Sequence, residues 1–430
     1  MFEWILLFIT ILLTTLFFKV VRLPNQKYKK YYNLLLILGF GFRIICIFLP
    51  PIWEDDWARY LWEGDLIRNH ISPYEFPPIY FFPNSNLDSF SKELLSKINH
   101  PEWTTIYSPF VLFYFSIFTY SFSVFFLKCS YLLFESVCFF LFSKHNRKSP
   151  VILYWIYPIL VKEVYINMHF EIILLFFFWI FSYYLKSKMI FRSGFVFGIL
   201  VHTKFIAMIY GILFLPYFWI RNLKQRGILF VSIFVSFTFG FFIFYLIYLI
   251  LYPNSSDFGF NNLQRFGESF YFNQFFEPFW KYFFTINLRS FPFFSQLILL
   301  YFYLYLLLPK KNRKIRFILL SRKYHFYFYI GYFALTLFPI LNPWYFLILI
   351  PIITISRSKS VLPWILISIL QVSYLTNVRL NLPSLYFYQI SDPILLFEAL
   401  VSVICIFLYF YQIFILLYKI SNISNIASKG

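Results

Sequence analysis

Glycine is scarce in this chain, with 12 in 430 residues, and none falls into a GxGxxG or GxxxxGK[ST] pattern. The backbone cradle that such loops offer a nucleotide's phosphates is therefore missing. Charge is scarce as well: Asp, Glu, Lys and Arg make up 13%, against roughly 25% in soluble domains. A chain that is 60% hydrophobic has too little polar surface to fold in water and takes lipid as its solvent. The four cysteines (Cys46, Cys129, Cys138, Cys405) all lie in apolar runs without CxxC spacing, so neither a disulfide framework nor a zinc site is indicated. Acid is the scarcer charge, 18 Asp and Glu against 37 Lys and Arg. The net charge of +19 is dispersed through short loops, so no basic domain could hold a duplex and no nucleic-acid partner is expected. Aromatics are abundant, 65 Phe and 36 Tyr. Beside so little glycine they point to an AT-rich coding bias and lipid-facing bulk, so aromatic stripes are not read as binding sites.

The apolar runs set the expected architecture: an all-α, polytopic membrane bundle of about 11–13 spans. Candidate spans cover 3–18, 31–50, 108–143 (one span plus a short element), 150–166, 168–185, 193–203, 205–219, 228–252, 293–309, 325–341, 343–356, 361–375 and 393–418. The first has no basic n-region or small-residue cleavage site and reads as a retained span. The short pairs 193–203/205–219 and 325–341/343–356 suit re-entrant hairpins. We find no internal repeat and expect one membrane domain over 1–430.

The loops sort by sign. Residues 19–30, 144–148, 186–192, 221–226 and 309–323 carry only basic residues, and the positive-inside rule places them in the cytoplasm. Loop 51–107 carries Glu54, Asp55, Asp56, Glu63, Asp65, Glu75, Asp88, Glu93 and Glu102, nine of the 18 acids, against Arg59, Arg68, Lys92 and Lys97. Alternation puts it outside with 253–290 and 376–392, leaving the N-terminus outside and the C-terminus inside.

Within that loop, WARYLWEGDLIRN after Asp56 predicts a short amphipathic helix with Trp57, Tyr60 and Leu61 on one face, lying at the membrane interface. SPYEFPP then ends the helical run. Adjacent carboxylates at a water–lipid boundary push one pKa upward and make a competent general base, although the same triplet would also cap the helix and keep the loop wet. Arg43, His169, Glu171, His202 and Lys204 interrupt apolar runs near the outer side, where each costs about 2.5–3.5 kcal/mol unless partnered. They could converge beneath the loop and suit a phosphate. Glu135 reads as a helix-packing partner, and the Gly194/Gly198 spacing as close helix packing. With no nucleotide loop and short cytoplasmic loops, an activated group has to reach the external carboxylates on a carrier that crosses the membrane. A polyprenyl phosphate is one.

Asp55-Asp56-Trp57-Ala58-Arg59-Tyr60-Leu61-Trp62-Glu63-Gly64 resembles the DDxYRYxWDG signature of bacterial C-type (GT-C) glycosyltransferases, a mannosyltransferase-like group. Ile71-Ser72-Pro73-Tyr74 resembles its INPY, and Asn99-His100-Pro101-Glu102 with Thr105-Ile106-Tyr107-Ser108-Pro109 its NHPE…TIYPP. Fainter likenesses follow at Asn167–Glu171 (GNGHLD), Phe272-Asn273 (FN) and Asn342-Pro343-Trp344-Tyr345 (HPWY). Ala58, Glu63, Ser108, Glu171 and Asn342 depart from the pattern, and Ala58 and Asn342 bear on acceptor specificity. The resemblance implies a GT-C fold with 51–107 as its first large external loop, in a bacterial inner membrane. It implies transfer of a hexose, mannose favoured, from a polyprenyl-phosphate sugar to a glycan, lipid or protein acceptor, with inversion. Asp55 is the expected base, with Asp56 as alternate. Arg59, Lys204, Arg265 and His169 would neutralise the departing phosphate. Trp62, Glu63, Tyr74, Asn99, His100, Tyr107, Glu171 and Trp344 would line the substrate. No cofactor is required, though the acidic pair has the ligands for a divalent cation. A lipid-sugar flippase would place charges in broken spans too, and a ligase or polymerase of lipid-linked glycans would share the donor class.

Overall fold

The computed structural model describes residues 2–84, 86–119, 123–145, 151–214, 217, 223–255, 258–269, 272–275, 323–336, 338, 340–355, 360–372, 390 and 392–427. The span expected at 293–309 and most of the basic run 309–323 lie outside these residues, as do positions 276–290 and 376–389 of the external loops. Among the described residues the chain is helical without a strand, apart from an isolated parallel bridge between Phe272 and Ile340. By length and composition, four helical stretches suffice to cross a membrane: Lys30–Phe48, Ser123–Leu141, Lys224–Leu251 and Pro393–Gln412. The contacts divide into two compact units. One comprises Met1–Leu13, Asn25–Arg147 and Val151–Ser269; the other comprises Thr14–Pro24, Lys148–Pro150 and Phe270–Gly430.

Helix α1 (Phe2–Val21) contributes to both units. The first unit continues through α2 (Asn25–Phe48), α3 (Asp56–Arg68), α4 (Ser89–Lys97), α5 (Pro109–Ser116) and α6 (Ser123–His145). It is completed by α7 (Val151–Trp155), α8 (Pro158–Val161), α9 (Glu171–Lys186), α10 (Ile190–Thr203), α11 (Leu223–Leu251) and α12 (Phe260–Ser269). Run 108–143 is the short α5 followed by the long α6, as its length suggests. Run 150–166 is not one continuous helix: Pro158 interrupts it, and a π-helical turn occupies Lys162–Ile166. Nearly all of it is buried.

Long-range bonds place three membrane-length helices at the acidic loop. Lys128, early in α6, donates to the carbonyls of Cys46 (3.2 Å) and Leu49 (2.6 Å) at the end of α2. Leu49 O lies past the end of α2, and Cys46 O also accepts from Leu49 N (3.3 Å); a cation at this helix end meets the negative end of the dipole. Tyr252, just past α11, donates to Ile67 O (2.9 Å), and Tyr248 within it to Ser72 Oγ (2.8 Å). The C-terminal ends of α2 and α11 and the N-terminal end of α6 therefore share one side with loop 51–107. The opposite ends of α2 and α11 carry Lys27 and Lys30, and Lys224 and Arg226, respectively.

Helices α10 and α11 cross with their backbones touching. A Cβ at Gly198 would fall on the Phe237 carbonyl and the Phe241 amide, and one at Gly240 on the Phe195 carbonyl. Where lipid supplies no hydrophobic drive between helices, small residues of this kind let them associate. Gly198→Leu is expected to cost about 1–3 kcal/mol or more and to lower the unfolding temperature in detergent. Gly227→Ala, where nothing lies within 4 Å, serves as a neutral control.

The second unit contains α13 (Lys323–Leu335), a 3-10 turn at Pro343–Leu349, α14 (Ile350–Ile355), α15 (Leu362–Ile369) and α16 (Asp392–Ala427). Its core joins Phe17 edge-on to Trp364 (5.0 Å between centroids) and stacks Tyr329 on Tyr409 (3.9 Å). Tyr332 and Ser402 share a hydrogen bond of 2.9 Å.

Candidate active site

Asp55 sits at the N-cap of α3 but makes no cap bond with its side chain. Its Oδ1 instead accepts from the Asn99 amide at 2.6 Å. The expectation of an amphipathic helix with one covered face needs correction. Trp57, Ala58, Tyr60, Leu61, Trp62, Glu63, Gly64, Leu66 and Ile67 are all buried, so α3 is the core of a folded loop. It is covered because residues 71–107 return over it and α5 packs against it. A Cβ at Gly64 would come within 2.7 Å of the Phe115 carbonyl carbon, which explains why this position has none.

Arg59 holds that returning chain. Its Nη2 donates to the carbonyls of Asn99 (2.7 Å) and His100 (2.8 Å), and its Nη1 to Trp103 O (3.1 Å) and Glu63 Oε1 (3.2 Å). The other Glu63 oxygen accepts from Thr105 Oγ1 at 2.5 Å. Arg59 is thereby engaged by the loop backbone, and through that backbone it positions Asn99 against Asp55. Trp62 is packed against Phe81, and Tyr74 donates to Tyr107 O at 2.6 Å. With Glu63, these residues brace the loop. His100 pairs with Glu102 (3.3 Å) near the surface. Arg265, on α12, lies 4.6 Å from the Trp103 ring centroid. Trp344 belongs to the second unit and is buried there.

Beneath α3 lies a buried set of charges. Lys204, in extended backbone just after α10, pairs with Glu171 Oε1 and sits 5.0 Å from the Phe170 ring. Lys162 donates to Glu163 Oε1 (2.7 Å), and Glu163 Oε2 accepts from Asn167 Nδ2 (2.7 Å) and lies 3.6 Å from His169 Nε2. Met168, between these groups, has a left-handed backbone (φ 63°). Strain of this kind persists where surrounding structure imposes it, often at functional sites. Of the five groups expected to converge here, Lys204, Glu171 and His169 do so. Arg43 and His202 do not. Arg43 donates to Glu135 Oε2 (2.7 Å), Gly39 O (2.8 Å) and Trp155 O (2.6 Å), while His202 accepts from the Phe110 amide near the start of α5 (3.3 Å). Lys162 and Glu163 escape a reading by runs. Their signal is a Lys–Glu dipeptide inside an apolar stretch, where ionisable side chains need a structural or functional reason.

Electrostatics distinguish the three acids above this set. Burial pushes the Asp55 carboxyl up to about 7, and neighbouring Asp56 adds repulsion that Arg59 and Asn99 partly offset. Burial also raises Asp56, against the pull of Lys204 and Arg59. Burial drives Glu54 well above the carboxylate range, with Asp56, Asp55 and Glu163 adding to it. Asp55 therefore titrates where a general base works best. Removing the amide in Asn99→Ala deletes a bond to the charged form, worth about 1.5–3 kcal/mol. It is expected to raise the Asp55 titration by about one to two pH units, measurable as a carboxylate infrared band absent from Asp55→Asn.

Among the described residues no group of three or more His, Cys, Asp or Glu is arranged to hold a metal ion. Compared with protein-family models, with curated proteins and with solved structures, the chain finds no match.

Proposed function

We propose that the chain is a GT-C-type membrane glycosyltransferase of about 11–13 spans, taking a hexose, mannose favoured, from a polyprenyl-phosphate donor. The observation that carries this reading is the Asp55–Asp56 pair at the head of α3, gathered above the Lys204–Glu171 pair and His169 at the shared end of α2, α6 and α11. The motif resemblance of the first loop supports it independently. So does charge: by the positive-inside rule, the acidic end faces away from the cytoplasm, where sugars arrive on lipid rather than on nucleotides.

In the proposed reaction, Asp55 removes the proton from an acceptor hydroxyl as that oxygen attacks the anomeric carbon. The bond from that carbon to the phosphate oxygen breaks, and the configuration inverts. Lys204, which lies close enough to influence both Asp56 and His169, is the cation best placed to receive the departing phosphate. The acceptor is a glycan, a lipid or a protein. The test is reconstitution in liposomes with a radiolabelled polyprenyl-phosphate hexose and isolated envelope lipids and glycans. A new glycosidic bond is expected; counterflow of the lipid-linked sugar without one would replace this reading with a flippase.

A further inference from the structure

The second unit contains an uncharged cluster that the chemistry above does not use. Phe272 pairs with Ile340 in a parallel bridge, and Leu341 N donates to Phe272 O at 3.0 Å. The next residue, Asn273, has a left-handed backbone (φ 56°), and its carbonyl accepts from Phe275 N at 3.0 Å. The turn is thus tied on both sides, and its side chains cannot reach solvent by a simple swing of the backbone. Asn273 is 3% exposed and Gln274 4%. None of their four amide atoms (Oδ1 and Nδ2 of Asn273, Oε1 and Nε2 of Gln274) has a hydrogen-bond partner.

Buried amides without partners are costlier than apolar residues of similar shape, and natural folds keep very few. Two in succession on a strained, doubly anchored turn call for a partner from outside the chain. The bridge and the Leu341 N–Phe272 O bond set the start of the turn beside Leu341, one residue before Asn342. Asn342 stands at the N-cap of the 3-10 turn but does not cap it with its side chain. The segments 272–275 (FNQF) and 340–345 (ILNPWY) hold no charged residue, so nothing there is matched to a phosphate. A carboxamide offers one acceptor oxygen and one donor nitrogen side by side, complementary to adjacent hydroxyls, each of which both donates and accepts. Trp344 and Tyr345 follow Asn342 closely in sequence, and rings of this kind offer apolar faces to a sugar ring's C–H groups.

We propose that Asn273, Gln274 and Asn342 form a subsite for an uncharged sugar ring. This deepens the transferase reading and rests on it for the sugar's role, though binding itself can be measured without turnover. The experiment uses the full chain in phosphatidylglycerol-containing nanodiscs, with methyl α-D-mannoside and methyl α-D-glucoside as probes, read by saturation-transfer NMR. Saturable binding of at least one glycoside is expected, with Kd raised at least ten-fold by Asn273→Leu and by Gln274→Leu. Because Leu removes the orphaned amides, both variants should unfold no earlier than wild type. Should either fail to fold, Asn342→Ala is read in its place and should weaken binding in the same direction. Unchanged glycoside binding in the folded variants, or no saturable binding by wild type, would overturn the subsite. Lost binding in the variants alongside no transfer by wild type would leave the subsite standing and remove the transferase reading. Intact transfer with unaltered binding would remove the subsite alone.

Discussion

Asp55→Asn is expected to lower the turnover of sugar transfer by about 10²–10⁴-fold, the range that general-base catalysis supplies, with little change in KM for the lipid donor. The amide fills the carboxyl's place, so the loss reports the missing base. In wild type the active form is the ionised carboxylate. Burial lifts its pKa to about 7, so the ionised fraction is about half at that pH and about a tenth one unit below. The rate should therefore climb roughly ten-fold per pH unit below neutrality and level off above it, and Asp55→Asn should lose this acid limb. Asp56→Asn should be the milder change, moving the limb to lower pH by removing a neighbouring negative charge. Should Asp56→Asn abolish transfer while Asp55→Asn does not, the two roles exchange; full transfer by both would remove the base assignment.

The largest effect on stability is expected at Arg43. Its guanidinium is fully buried and engaged by Glu135, Gly39 O and Trp155 O, with Tyr165 donating to Glu135 Oε2 at 2.5 Å. Arg43→Met would leave the Glu135 carboxylate buried without its cation, which costs about 3–5 kcal/mol. Arg43→Met with Glu135→Met should recover much of that loss, because replacing a whole buried pair with apolar groups is close to neutral. Unfolding followed by tryptophan fluorescence in mixed micelles measures both. A single variant as stable as wild type would show that water reaches the pair. Sugar transfer should survive in the folded double variant, since neither residue takes part in the proposed chemistry.

Much of this protein can be read from local pattern, because some physical demands are local. Apolar runs of sufficient length mark helices α2, α6, α11 and α16, since their backbones must satisfy their own hydrogen bonds in lipid. The Asp56 start of α3 and the close packing at Gly194 and Gly198 follow from a few neighbouring residues. Which carboxylates stand at a loop head is also a matter of sequence. What a long charged side chain touches is not, because its partner lies tens of residues away. Arg59 reads as a cation for a phosphate, yet the chain folding back from 99 to 103 engages it three times. Arg43 reads as part of the site, yet Glu135, 92 positions on, claims it. Trp62 meets Phe81 and Tyr74 bonds to Tyr107 O, contacts that no local pattern shows. The unpartnered amides of Asn273 and Gln274 arise only when the Phe272–Ile340 bridge pins their turn. Sequence alone determined which segments are apolar and where acid collects; tertiary structure decided which polar groups pair and which are left for a ligand, because burial and hydrogen-bond satisfaction depend on neighbours that are distant along the chain.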